Sequence, residues 1–117
     1  MQRLTKLGLA VGAFAALALP FAAFATAVDP TATPALTAEQ LEKGRQLFTD
    51  NGCNACHALA DANAAGSVGP AFDGNANLDK AHVANVVANG QGAMPSFGWL
   101  DAADIELLSA YIVQAKK

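Results

Sequence analysis

Apolar residues are distributed along this chain in two contrasting ways. From Leu7 to Leu19 they run without a charge, between a basic start (Arg3, Lys6) and Pro20. From Thr37 onward they recur at helical spacing in three separate stretches. Thr37-Ala38-Glu39-Gln40 is a capping box, with threonine at the N-cap and glutamine three residues later. Leu41, Gly44, Leu47 and Phe48 then share one helix face, and Asn51-Gly52 closes it with residues that tolerate left-handed geometry. A second helix is predicted from about Asp79 to Ala88, with Val83, Val86 and Val87 as its inner stripe and Asn89-Gly90 at its end. The third is capped by Asp101 and carries Asp104 and Glu106 in its first two turns. Ile105, Leu108 and Ile112 line its inner face with Tyr111 beside them, and Lys116 and Lys117 complement the dipole at its end. No segment alternates as a strand would, and no repeat is present. The pattern predicts an all-α fold of three to four helices joined by long loops.

The rest of the chain divides around that helical part. The small-residue sequence Ala23-Phe24-Ala25 follows the apolar run. A basic start, a short apolar core and an A-x-A site are the parts of a secretory signal peptide, so residues 1–25 are expected to be removed. Cleavage falls after Ala25, or after Ala27 through Ala25-Thr26-Ala27. The alternative is a membrane anchor through residues 7–27, because no charge appears between Lys6 and Asp29. Either way the remaining domain lies outside the cytoplasm, in the periplasm or a comparable compartment such as the thylakoid lumen. Residues 26–36 (Ala, Thr, Pro and one aspartate) read as a disordered linker. The folded domain, residues 37–117, has only about 80 residues, a size that usually needs a staple, a metal or a cofactor. A loop as long as Ala58 to Asn77, rich in Gly, Asn and Ala, points the same way, since such coil needs something to wrap.

Charge narrows the partners. Without residues 1–25 the chain keeps five basic residues against ten acidic ones, a net charge of −5. That excludes nucleic acid, which selects basic patches. A protein docked through charge should present a basic face, and a membrane is a partner only if the N-terminal segment is retained.

Cys53-Asn54-Ala55-Cys56-His57 is the C-x-x-C-H pattern of c-type haem attachment. Two intervening residues let both sulfurs reach the two vinyl groups on one side of the porphyrin, and the adjacent histidine turns toward the iron. Covalent attachment also lets a short chain use haem as the centre of its core. Three other readings compete. Cys53 and Cys56 could form a disulfide or a thiol redox pair, although the βαβ context of such pairs is missing. A zinc site would need four ligands, and a second C-x-x-C is absent.

For the sixth iron position the candidate is Met94, the sole methionine left once Met1 is removed. It sits in Gly90-Gln91-Gly92-Ala93-Met94-Pro95, where glycines let the backbone pass close to a flat ligand. Its alternative role is core filler, although it lies off any apolar stripe. His82 is the alternative ligand. Its expected direction is away from the valine stripe, as an exposed surface histidine.

From about Leu36 to Ala115 these residues resemble the class I cytochromes c. In that family a glycine and an aromatic on the first helix cross a leucine and an aromatic on the last; Gly44 and Phe48 look like the first pair, Leu108 and Tyr111 like the second. Val68-Gly69-Pro70 resembles the segment whose proline packs on the histidine side and whose nearby carbonyl receives the histidine N–H. The stretch NGQGAMPSFGWLDAADIE, Asn89 to Glu106, is similar to small photosynthetic cytochromes c. Two features depart from them. Val86 stands where those proteins carry a glutamine near the haem, which implies a lower potential, and Gly69-Pro70 looks more like bacterial respiratory cytochromes.

The resemblance implies a small cytochrome c fold wrapped around one covalent haem c, with Cys53 and Cys56 attached and His57 and Met94 as axial ligands. With both axial positions filled no site is left for substrate, so the expected role is a one-electron carrier between redox proteins and not an enzyme. The segment from Cys53 to Ala65 is uncharged apart from Asp61, which suggests an apolar docking patch with an acidic rim. Alternatives are a dedicated cytochrome subunit of a periplasmic dehydrogenase, and an open-site haem peroxidase or sensor.

Overall fold

Three helices and a short two-stranded ribbon make up the described part of the protein, residues 33–117 of a computed structural model. The expected signal segment and most of the linker lie outside the described residues. Helix α1 spans Ala38–Asp50, α2 Lys80–Asn89 and α3 Ala102–Ala115; the ribbon pairs β1, Ala58–Leu59, with β2, Ala64–Ala65. Single 3₁₀ turns at Cys53–Ala55 and Ala60–Ala62 flank β1. The ribbon was not expected from the sequence, because two-residue strands are too short to show alternation.

Local chemistry sets most boundaries. The capping box of α1 forms in both directions: Gln40 N–H donates to Thr37 Oγ1 at 3.2 Å, and Thr37 N–H to Gln40 Oε1 at 3.0 Å. At the other end only Gly52 takes the left-handed conformation (φ 73°); Asn51 instead donates its side-chain amide to Leu47 O at 2.7 Å. Asp79 caps α2 by accepting from His82 N–H, and Gly90 (φ 75°) ends it. Asp101 stands at the N-cap of α3, but its side chain caps nothing; Asp104, in the first turn, instead pairs with Lys43 of α1 at 2.8 Å.

The two terminal lysines also differ from expectation. Neither lies in the last turn of α3. Lys116 Nζ donates to Asn75 O, while Lys117 N–H donates to Asp73 Oδ1 and Lys117 O accepts from Gly74 N–H. The C-terminus therefore binds the long loop. Part of the expected linker is held as well: Leu36 N–H donates to Gln114 Oε1, and Gln114 Nε2 donates to Pro34 O.

Helix α3 packs against both other helices, and residues 108–112 are all buried. Its crossing with α1 is close because Gly44 has no side chain: a Cβ there would lie 2.6 Å from Tyr111 Cγ. Phe48, Leu108 and Tyr111 are almost wholly buried at this crossing, each contributing ~1.5–3 kcal/mol through burial. Phe48 meets Phe72 and Tyr111 edge-on, with centroids 6.2 and 6.4 Å away.

A polar cluster closes the same crossing. Tyr111 Oη donates to Asp61 Oδ2 at 2.7 Å, Arg45 Nη2 pairs with the same oxygen at 2.8 Å, and Arg45 also pairs with Glu42. Helix α1, the turn after β1 and α3 are thereby joined through one carboxylate. The Tyr111 hydroxyl first, then Arg45, hold Asp61 below its ordinary carboxylate range. Burial and then the Asp61 carboxylate push the Tyr111 hydroxyl above its own.

Two outcomes follow for stability. Gly44→Ala should cost about 1–3 kcal/mol in a denaturant titration, because Tyr111 must move to admit the methyl group. Asp61 has a lowered folded value, so its contribution is present above the unfolded value of ~3.9 and fades as pH falls through the folded value. Asp61→Asn should therefore be less stable than the wild type at neutral pH and lose less on acidification from about pH 5 to pH 3. Unfolding curves across that range measure the difference.

Candidate functional site

The backbone around Cys53–His57 is shaped before any side chain is considered. Gly52 turns the chain, the 3₁₀ turn follows, and His57 N–H donates to Cys53 O at 2.9 Å. The long loop then runs back alongside: Gly69 N–H donates to Cys56 O at 2.8 Å and Phe72 N–H to Ala58 O at 3.0 Å. Gly66 has to be glycine at this approach, since a Cβ would lie 2.5 Å from the Cys56 carbonyl carbon.

This loop fixes the His57 ring on three sides. His57 Nδ1 lies 2.7 Å from Pro70 O, a carbonyl that can only accept, so the proton is on Nδ1 and the lone pair on Nε2. Phe72 stacks on the ring face with centroids 4.6 Å apart and planes 16° apart. Gly69 completes the enclosure, as a Cβ there would lie 2.5 Å from His57 Cε1. The ring is buried, yet one nitrogen keeps an unshared pair.

His57 borders a cavity of about 480 Å³, within the ~300–1,000 Å³ of small-molecule and cofactor sites. Cys53, Cys56 and Met94 line it too, so all four residues singled out from the sequence meet at one place. Apolar side chains from every helix complete the wall, among them Phe48, Val83, Val86, Val87 and Ile112. Met94 is held by its backbone: it exchanges two hydrogen bonds with Gln91, at 3.0 and 3.1 Å, across the glycine turn. Met94 is half-buried and packed against the core, and with Cys53 and Cys56 it brings sulfur to the cavity wall.

Val86 lines the cavity. His82 is exposed, as expected, but it borders the cavity as well, which the sequence reading did not foresee. Asp61, the one charge between Cys53 and Ala65, is engaged with Arg45 and Tyr111. Phe72 was missed as a partner of His57; its only sequence signal is an aromatic two residues beyond Gly69-Pro70. Arg45 and Asp61, sixteen residues apart, gave no signal as a pair.

The residues fit a haem. An imidazole with a free Nε2 pair and a thioether are the two donor types of His/Met haem iron. Two thiols lie on the same cavity, and an apolar wall suits a flat porphyrin. The competing readings fit less well. Burial pushes the Cys53 thiol up to about 11, leaving little of the thiolate that exchange chemistry requires. Among the described residues no group of three or more His, Cys, Asp or Glu converges as a metal site.

The comparisons with known proteins agree. A family described as "Cytochrome C oxidase, cbb3-type, subunit III" matches residues 39–112. Cytochrome c6 of Picosynechococcus sp. is 43% identical over 93 residues, covering 68% of this chain and 76% of that protein. Cytochrome c6 of Cyanidium caldarium is 37% identical over 80 residues, 62% of this chain and 69% of that one. Among solved structures, the c-type cytochrome SorU from Sinorhizobium meliloti matches with a TM-score of 0.61 and 35% identity, over 68% of this chain and 93% of that one.

Gly69→Ala tests the enclosure of the ring. The added methyl has to displace His57 from Pro70 O, and a loss of about 1–3 kcal/mol is expected in denaturant unfolding.

Proposed function

Since this chain belongs to the class I monohaem c-type cytochromes, we propose that Cys53 and Cys56 attach its haem, that His57 and Met94 ligate the iron, and that it carries single electrons between redox proteins outside the cytoplasm. The family fixes the coarser statement: this is an electron-carrying protein with one covalent haem c. One observation carries the finer one. A histidine whose Nδ1 is committed to Pro70 O, leaving Nε2 free, shares a cavity with Met94 and both thiols.

Bound haem supplies one-electron redox chemistry at its iron. The chain's own residues supply the rest. Pro70 O and Phe72 keep the His57 ring from rotating when the iron's charge changes, and the bond to Nδ1 raises the basicity of Nε2. The Gln91–Met94 turn fixes the Met94 backbone at the cavity wall, from which its thioether would reach the iron. Valines and phenylalanines exclude water, which limits the solvent reorganisation that accompanies a change of charge. An apolar Val86 in place of a glutamine favours a lower potential within the family.

If His57 and Met94 both ligate the iron, no coordination position would be left for a substrate, so the reading is a carrier and not a catalyst. The exposed part of the cavity rim includes Cys56 and Val68, the latter 77% exposed. This is an apolar edge against which a partner can dock briefly. The acidic balance of the domain favours partners with basic faces. Export rests on the basic start, the uncharged run and Ala23-Phe24-Ala25. No helix among the described residues is long and apolar enough to cross a membrane.

Met94 is tested by the weak long-wavelength sulfur-to-iron band of the oxidised protein. The band should be present in the wild type and absent in Met94→Ala, whose haem stays covalently attached. The potential should fall in the variant, because a thioether ligand raises it. A band that survives Met94→Ala rules out this ligand.

A further inference from the structure

Resting on the haem c reading above, we propose that Phe72 is a positioning residue: it sets the plane of the His57 imidazole, and through that plane the axis along which the oxidised protein spreads its unpaired electron. The two contacts of the ring do different work. The bond from Nδ1 to Pro70 O selects the tautomer and stops the ring from turning over. It sets the finer angle of the ring plane less closely, because a carbonyl accepts over a broad range of directions and the second torsion of a histidine is itself broad. A flat group against the ring face removes that freedom. Phe72 is such a group, with planes 16° apart and centroids 4.6 Å apart.

Phe72 can impose an angle because it is itself fixed. It is buried, and its ring meets Phe48 of α1 edge-on at 6.2 Å. Phe48 in turn meets Tyr111 of α3 at 6.4 Å, so a run of aromatic rings leads from the helix crossing to the histidine. The backbone is held on both sides. Phe72 N–H donates to Ala58 O at 3.0 Å, and Phe72 O accepts from Asn75 N–H at 3.2 Å. The carboxylate of Asp73, the next residue, accepts from Ala60 N–H and from Lys117 N–H. A leucine at position 72 would still supply apolar bulk, but only a flat side chain stacks.

The consequence is electronic. The plane of an axial imidazole decides which of two nearly equivalent iron orbitals holds the unpaired electron after oxidation, and so along which axis of the macrocycle it spreads. A ring clamped at one angle keeps that density on one axis, whereas a ring that swings averages it over both. Phe72 thus acts on electron transfer through His57.

Proton NMR of the oxidised holoprotein reads this distribution from the paramagnetic shifts of the haem methyl groups. The wild type should show widely spread methyl shifts. Phe72→Leu should keep its covalent haem and the sulfur-to-iron band, with a narrower spread, or a changed order where the ring settles at a new angle. Asp61→Asn, expected to be less stable without touching the ring, should keep the wild-type pattern. Methyl shifts of Phe72→Leu that superimpose on the wild type overturn the proposal. So does an equal change in Asp61→Asn, which would make the pattern a measure of stability alone. In the reduced wild type, nuclear Overhauser contacts between the ring protons of Phe72 and His57 are expected, and their absence overturns the proposal without any variant. A wild type lacking covalent haem or the sulfur-to-iron band would instead overturn the underlying reading, so the two failures are distinguishable.

Discussion

The hydrogen bond from His57 Nδ1 to Pro70 O, 2.7 Å long, ties the motif Cys53–His57 to the long loop that follows it. It assigns the tautomer, so the lone pair sits on Nε2, and it stops the ring from turning about its own axis. Several neighbouring features support that bond. Gly69 and Gly66 allow the loop to lie against the ring and the backbone of Cys56, the bonds Gly69 N–H to Cys56 O and Phe72 N–H to Ala58 O hold it there, and Phe72 stacks on the ring face. Without the glycines the carbonyl could not reach the ring. Without the stack the ring would be a buried polar group with one face against open space.

A second constraint acts on the opposite side of the same segment. The Asp61 carboxylate gathers Arg45 of α1 and Tyr111 of α3 around the turn after β1. Asp73 does similar work lower in the loop, accepting from Ala60 N–H and from Lys117 N–H. The coil from residue 58 to 77 is therefore anchored by polar bonds on its outside and leaves its inner surface apolar. A domain of about 80 residues with an apolar cavity at its centre has given up core volume that side chains would otherwise fill. A covalently held haem restores it, which links cofactor binding and folding in one step.

How much of this could be read from the sequence depends on the range of the interaction. The three helices were legible because their signals are local: Thr37 with Gln40, Asn89-Gly90 at the end of the second, and apolar residues at helical spacing. Cys53, Cys56, His57 and Met94 were legible because chemistry restricts which residues can serve. Contacts between distant segments were not. Phe72 against His57, Asp61 between Arg45 and Tyr111, and the C-terminal lysines on residues 73–75 depend on loop paths that no periodicity encodes. Asp101 shows the reverse failure, a good capping residue in the capping position whose side chain makes no cap. His82 was placed correctly on its helix and exposed, but one face of an exposed residue can still border a cavity. Residues 58–59 and 64–65 were too short as strands to register.

The central claim is that this chain holds one haem covalently through Cys53 and Cys56 after export. Intact mass spectrometry of the protein purified from its native compartment tests that most directly. The predicted result is a single species beginning at Thr26 or Val28, heavier than the polypeptide by one haem, with the added mass retained under denaturing conditions. A mass equal to the polypeptide alone, or to the polypeptide with Cys53 and Cys56 joined as a disulfide, would contradict it.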